Sequence, residues 1–99
     1  MGEREIQQRM REGEQVLFDG RHILFRVQEM GTHCHYTYAR PEDFRGMGDD
    51  GVFLLQEFVE TMWWTPEHER QMRETLAGLG IELSPRAEEY LYHAGRAAR

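Results

Sequence analysis

Two histidines, His33 and His35, have the residue type and the spacing of a metal-binding pair. They alternate with Cys34 along a predicted β-strand, so both imidazoles lie on one side of it, about 7 Å apart. Imidazole nitrogens so placed can ligate zinc and its neighbouring transition metals. We expect Arg26 or Gln28 to lie opposite His35, and a cation there would oppose metal binding. Solvated histidines or a pH sensor are the other interpretations of this pair.

No group of residues has the pattern of a catalytic site. Cys34 is expected to be a buried, inert thiol, since its predicted neighbours are apolar. Ser84 is the only serine and stands where it would cap a helix, which argues against a hydrolytic serine triad. His68 lies between Glu67 and Glu69 without the second histidine of a zinc-protease helix. We therefore predict that the chain is not an enzyme and has no cofactor, with a transition metal at His33 and His35 as the alternative.

Large aromatic residues are more informative than titratable ones. Phe53 and Trp64 fall on the polar stripe of a predicted helix, and Trp63 and Trp64 cannot both enter one small core. The alternative is that the next helix folds back over Trp64. The full set of interaction candidates takes in both ends of this helix, the last helix and a preceding loop: Phe53, Trp63, Trp64, Tyr90, Tyr92, Asp43, Phe44 and Arg45.

The elements that position these residues follow from hydrophobic periodicity. Period-two alternation over about residues 14–39, interrupted at Asp19-Gly20 and Met30-Gly31, predicts a three-stranded antiparallel meander. Helical spacing then predicts helices over about 50–64, 66–78 and 85–97, after a Gly-rich acidic loop at 40–51. Residues 1–12 form a charged arm or a short helix. The fold class is α+β in a single domain of residues 1–99.

Alternation also sorts the strand residues onto two faces. With the two turns as centred above, one face is predicted to be the core face and the other a polar face that carries both histidines. The core face collects Val16, Phe18, Ile23, Phe25, Val27, Cys34, Tyr36 and Tyr38. The polar face collects Leu17, His22, Leu24, Arg26, Gln28, His33, His35 and Thr37.

Composition limits the classes of function. The 99 residues include 18 acids and 12 bases, for a formal net charge of −6, and all twelve bases are arginine. This charge disfavours nucleic-acid binding, which depends on neutralising phosphates. There is one cysteine and no long apolar run. We expect a cytoplasmic protein that lies outside the membrane.

These observations together predict a small acidic protein–protein interaction module that regulates, inhibits or adapts a larger protein. A three-stranded sheet has open edges, which also favour a homodimer. One alternative is a metal- or small-ligand-binding protein that uses His33 and His35. A further alternative is an acidic decoy that occupies a nucleic-acid-binding surface of another protein.

Overall fold

The computed structural model describes residues 1–31, 33–45, 49–61 and 64–97. Its three strands form an antiparallel sheet in the order β1-β2-β3, which confirms the predicted α+β meander. No helix within the described ranges is long or apolar enough to cross a bilayer. The elements in chain order are α1 (Glu3–Arg11), β1 (Val16–Phe18), β2 (Ile23–Met30), β3 (His33–Ala39), a 3-10 helix (Pro41–Phe44), α2 (Asp49–Thr61), α3 (Pro66–Gly78) and α4 (Pro85–Ala97).

The first hairpin is closed by a four-residue loop, because Phe18 pairs with Ile23. Asp19 holds this loop: its carboxylate accepts hydrogen bonds from the main-chain N–H groups of Arg21 at 2.8 Å and His22 at 2.6 Å. Gly20 has a φ of +100°, a conformation that costs glycine little. A tight Asp-Gly turn would instead pair Phe18 with Arg21, so the observed register is shifted by two residues. A shift of two leaves the faces of β2 unchanged.

The predicted faces of β3 are reversed along the whole strand, His33 and His35 included, and a β-bulge in β2 is the reason. Arg26 pairs with Tyr36 but Gln28 pairs with His35, so β2 contains one extra residue at this point. Because side chains alternate between the two faces of a strand, this one extra residue exchanges the faces predicted for the residues of β3. Cys34 and Tyr36 therefore pack on the side opposite to the core that contains Phe25, and Tyr38, which was predicted to face inward, is exposed.

The sheet separates two hydrophobic clusters instead of covering one. The larger contains Phe25 at its centre, with the rings of Phe58 at 4.6 Å and of Phe44 and Trp64 at 6.3 Å between centroids. Residues of α2, α3 and α4 complete it. On the other face α1 packs through Ile6 and Met10, so the face predicted to be polar is covered. The smaller cluster consists of Ile6, Met10, Leu17, Leu24 and Cys34, with Tyr36 packed against it.

Both edges of the sheet are occupied by glutamine side chains. Gln7, on α1, accepts a hydrogen bond from the Cys34 N–H at 2.8 Å and donates one to the Cys34 carbonyl at 2.9 Å. Gln71, on α3, accepts from the main-chain N–H groups of Gln15 at 2.7 Å and Val16 at 3.0 Å. Each amide thereby takes the place of a neighbouring strand at one point of β3 or β1.

The predicted 40–51 loop is shorter than expected. Residues 41–44 form a 3-10 helix whose Pro41 and Phe44 are buried, and α2 already begins at Asp49. Asp43 caps this turn, because its carboxylate accepts from the Arg40 N–H at 2.9 Å and pairs with the Arg40 guanidinium at 3.1 Å. Residues 46–48 lie outside the described part of the chain.

Helix α3 has well-defined ends that match the prediction. Thr65 caps its N-terminus, with Pro66 in the first turn, and a Schellman motif ends it at Gly80, whose φ is +72°. The Ile81 N–H binds the Leu76 carbonyl at 2.9 Å, and the Gly80 N–H binds the Ala77 carbonyl at 3.0 Å.

Two neighbouring glycines are expected to respond in opposite ways to alanine. Gly78 is helical and a Cβ built on it meets nothing within 4 Å, so Gly78→Ala should raise the free energy of unfolding by about 0.5 kcal/mol. Gly80 has space as well but a positive φ, so Gly80→Ala should lower that free energy by about 1 kcal/mol. Urea denaturation of both variants measures the difference. Equal effects would contradict the assigned helix end.

Candidate functional site

The solvent face of α2 carries one large apolar residue. Phe53, Glu57 and Glu60 follow one another at intervals of four and three residues, which places them on one stripe of the helix. All three are exposed, whereas Leu55 and Phe58 on the other side are buried. The Phe53 side chain is 73% exposed. A phenyl ring in water beside two carboxylates contributes little to folding, since the burial that stabilises a core is missing.

The side chains of Trp64 and Tyr90 are less exposed to solvent than the sequence indicated. Trp64 is half-buried against the larger cluster and stacks on His68 with centroids 5.3 Å apart, so the predicted alternative, in which α3 folds back over it, is the observed one. Tyr90 is also half-buried against this cluster. Burial and the nearby Glu60 carboxylate raise the pKa of the Tyr90 hydroxyl. Tyr92 remains on the surface, with 57% exposure.

The interaction candidates in the loop also differ in how exposed they are. Phe44 is fully buried beside Phe25 and is unavailable to a partner. Asp43 is engaged in capping, and hydrogen bonds from Arg40 lower its pKa although burial opposes them. Arg45 is exposed. Trp63 lies outside the described residues.

The two histidines are exposed and close together. His33 and His35 alternate with Cys34 along β3, and their ring centroids lie 5.6 Å apart with the planes at 85°. The register next to the turn decides the neighbour of His35 on β2: Met30 pairs with His33, so Gln28 and not Arg26 is paired with His35. Among the described residues, no three His, Cys, Asp or Glu side chains come together as a metal-binding group. Any metal bound here would take two protein ligands from the described side chains.

Comparison with protein-family models, curated proteins and solved structures finds no match. The geometry of the chain therefore carries the functional argument.

His68 is a buried polar residue, although the sequence sets it between Glu67 and Glu69 near the start of a predicted helix. It is 1% exposed, and its Nε2–H donates to the Arg26 carbonyl at 2.8 Å. Its Nδ1 accepts from the Thr65 N–H at 3.1 Å, which fixes the neutral tautomer. Burial lowers the pKa of the imidazole. The residue joins the start of α3 to β2 and has no exposed nitrogen with which to act on a ligand.

The α1 side of the sheet holds a second polar network. The Tyr36 hydroxyl donates to the Glu3 carboxylate at 2.6 Å, and Gln7 donates to the other oxygen of Glu3 at 3.0 Å. These two bonds, that from Tyr36 above all, lower the pKa of Glu3, and the same contact raises the pKa of Tyr36 to about 12. Glu3 therefore keeps a negative charge near His33 at neutral pH.

An open groove of about 540 Å³ runs between β1 and α3. Its walls include Phe18 and Leu79, and its rim holds the ion pairs Arg9–Glu14 at 2.8 Å and Arg70–Glu74 at 2.7 Å. The described residues that line it include no cysteine, serine or histidine. Because its charges are paired with one another, the groove has no net preference for an anion or a cation.

Proposed function

We propose that this chain is a small protein–protein interaction module that regulates, inhibits or adapts a larger protein through the exposed stripe of α2. The observation that carries the proposal is the exposure of Phe53 on a helix whose other large aromatic residue, Phe58, is buried. Burying such a ring in a partner contributes about 2 kcal/mol or more, which is the size of an interface anchor.

The charge of α2 indicates the chemistry of the partner. Residues 49–61 contain four acids, Asp49, Asp50, Glu57 and Glu60, and no base. A complementary surface would have an apolar pocket for Phe53 and arginine or lysine side chains at its rim. Such a rim accelerates association and fixes orientation, while the ring supplies most of the affinity.

We expect Phe53→Ala to weaken binding to the partner by about 30-fold or more, because an anchoring aromatic is worth roughly 2 kcal/mol. The partner is first captured from the source cell with the wild-type chain and with Phe53→Ala at equal concentration. Its affinity for both is then measured with purified components. Since Phe53 is exposed, the substitution should change the free energy of unfolding by less than about 0.5 kcal/mol.

Tyr38→Ala serves as the matched control, because Tyr38 is also an exposed aromatic, at 62%, but lies on β3 and not on α2. It should leave binding unchanged. A captured partner that binds the wild type and Phe53→Ala equally well would contradict the proposal.

Salt distinguishes this proposal from the acidic-decoy alternative. A decoy of nucleic acid holds its partner through charge, so its affinity falls steeply as salt is raised from 50 to 300 mM. An interface anchored by Phe53 should lose more affinity through Phe53→Ala than through the same increase in salt concentration. The three acids of α3 are already paired with Arg70 or Arg73, and Glu88 of α4 pairs with Arg73 at 2.7 Å, which favours the anchored interface.

A homodimer stays a prediction, and we propose the outer edge of β3 as its contact surface. Gln7 and Gln71 occupy one point on each sheet edge, but strand alternation directs the main-chain groups of Tyr36 and Tyr38 to the same outer edge as those of Cys34. Pairing of this segment with a second copy would extend the sheet. Sedimentation equilibrium measures the oligomeric state of the wild type and two variants. Phe53→Ala should weaken a dimer formed through α2, and Tyr38→Pro one formed through the β3 edge.

A further inference from the structure

The two imidazoles on β3 have the separation that a shared metal ion requires. A ring nitrogen binds Zn²⁺ at about 2.1 Å, which puts the ion roughly 3.2 Å from the ring centroid. Two imidazoles on one ion at the tetrahedral angle therefore have centroids about 5.2 Å apart. The observed 5.6 Å between His33 and His35 is within a few tenths of an ångström of this value. Exposed side chains can close that difference by rotating about χ1 and χ2.

The contact of His33 with Gln7 does not occupy the lone pair of the imidazole. Its Nε2 lies 3.4 Å from Nε2 of Gln7, but that amide already donates to the Cys34 carbonyl and to Glu3. An amide nitrogen has two hydrogens and accepts nothing, so this contact is not a hydrogen bond. The lone pair of His33 is not used by Gln7.

The charges around the pair favour a cation. The register next to the turn places Gln28, an uncharged residue, and not Arg26 opposite His35, so the cation that would oppose metal binding is not the residue paired with it. The Glu3 carboxylate interacts electrostatically with His33 and is held ionised by Tyr36 and Gln7. A negative charge near the two imidazoles attracts a divalent ion.

We propose that His33 and His35 bind one divalent transition-metal ion of the borderline class, Cu²⁺, Ni²⁺ or Zn²⁺, with water completing its coordination. Nitrogen ligands suit these ions, and the general order of affinity places Cu²⁺ first. With two protein ligands the site is open, and the ion exchanges with the surrounding solution. This site is separate from α2 and does not depend on the function proposed above.

The test is isothermal titration of the untagged chain with Zn²⁺ and with Cu²⁺ at pH 7.5. One ion per chain is expected, and His33→Ala and His35→Ala should each lower the affinity at least about tenfold, since even an outer-shell change costs that much at a metal site. His93→Ala is the matched control, because His93 is exposed on α4 and should leave binding unchanged.

Thermal unfolding gives a second readout. Zn²⁺ should raise the midpoint of the wild type and of His93→Ala but not that of His33→Ala or His35→Ala, because an ion that binds only the folded chain stabilises it. Equal binding by the wild type and both β3 variants, or no stoichiometric binding by the wild type at millimolar metal, would overturn the proposal. Either result leaves the interaction proposed for Phe53 untouched.

Discussion

Gln7→Ala is expected to lower the free energy of unfolding by about 2–3 kcal/mol. The Gln7 side chain is 5% exposed, and its amide satisfies both the N–H and the carbonyl of Cys34. Truncation leaves two main-chain groups without a partner, each of which costs about 1–3 kcal/mol where water does not reach it. It also removes the contact that holds α1 to the β3 edge. Urea denaturation at pH 7.5 measures the loss.

Gln8→Ala is the control for that prediction. Gln8 is the next residue of α1, is exposed, and makes one surface hydrogen bond to Glu12 at 3.2 Å. Its removal should change stability by less than about 0.5 kcal/mol. A thiol reagent adds a local readout, since Cys34 is fully buried beneath α1 and should react faster in Gln7→Ala than in Gln8→Ala. Equal stability and equal labelling of the two variants would contradict the assigned role of Gln7.

His68→Gln is expected to have an effect of similar size, and it should also change how stability depends on pH. At pH 7.5 the loss should be about 2–4 kcal/mol, because the shorter amide cannot reach both the Arg26 carbonyl and the Thr65 N–H from inside the core. The stacking contact with Trp64 is lost as well.

The pH dependence follows from the direction of the pKa shift. The folded chain holds His68 neutral, with a pKa below its ordinary value of 6.5. As the pH falls below about 6.5 the unfolded chain takes up the proton first, so the free energy of unfolding decreases, by at most about 1.4 kcal/mol per pH unit for this residue. The stabilisation is complete above pH 6.5 and is lost as the pH falls toward the lowered pKa.

Denaturation of the wild type and His68→Gln from pH 8 to pH 5 tests this linkage. The variant should show a flatter profile, whereas His93→Gln, which removes an exposed imidazole, should keep the slope of the wild type. If all three profiles are parallel, His68 does not titrate between these states, and the neutral imidazole is not what couples α3 to β2.

Local signals were sufficient for the three strands, the three C-terminal helices and their order. Thr65-Pro66 and Ser84-Pro85 mark helix starts that the structure places at Pro66 and Pro85, since each pairs a side-chain cap with a residue whose φ suits the first turn. Asp19-Gly20 marked the first hairpin although its loop is two residues longer than a tight turn. These features depend on neighbours within a few positions, which a sequence displays directly.

Hydrogen-bond partners that are distant in sequence could not be predicted. His68 binds the carbonyl of Arg26, 42 positions away, and Gln7 binds Cys34, 27 positions away. Neither residue belongs to a periodic pattern, so each looked like part of a polar surface. The bulge between Arg26 and Gln28 has no glycine or other local marker, and it reversed the predicted faces of Cys34 and Tyr36.

The candidate site was predictable only where it depends on residues that are close in sequence. Helical spacing alone puts Phe53 on the outside of α2, and the structure places it there. The exposure of Trp64 depends on where α3 turns, which spacing within α2 cannot show. The proximity of His33 and His35 follows from strand alternation, whereas the pairing of His35 with Gln28 instead of Arg26 follows from the register at the turn, which alternation leaves open.

The glutamines at the sheet edges have a consequence for aggregation. Proteins commonly protect an exposed edge with lysine, whose charge repels an approaching strand. This chain has no lysine, and Gln7 and Gln71 protect its edges by a bond instead of a charge. Protection of that kind disappears when the helix that carries it detaches. We therefore expect fibril growth to begin from molecules in which α1 has opened while the sheet is still folded, and its rate to follow the local opening of α1 and not the midpoint of global unfolding.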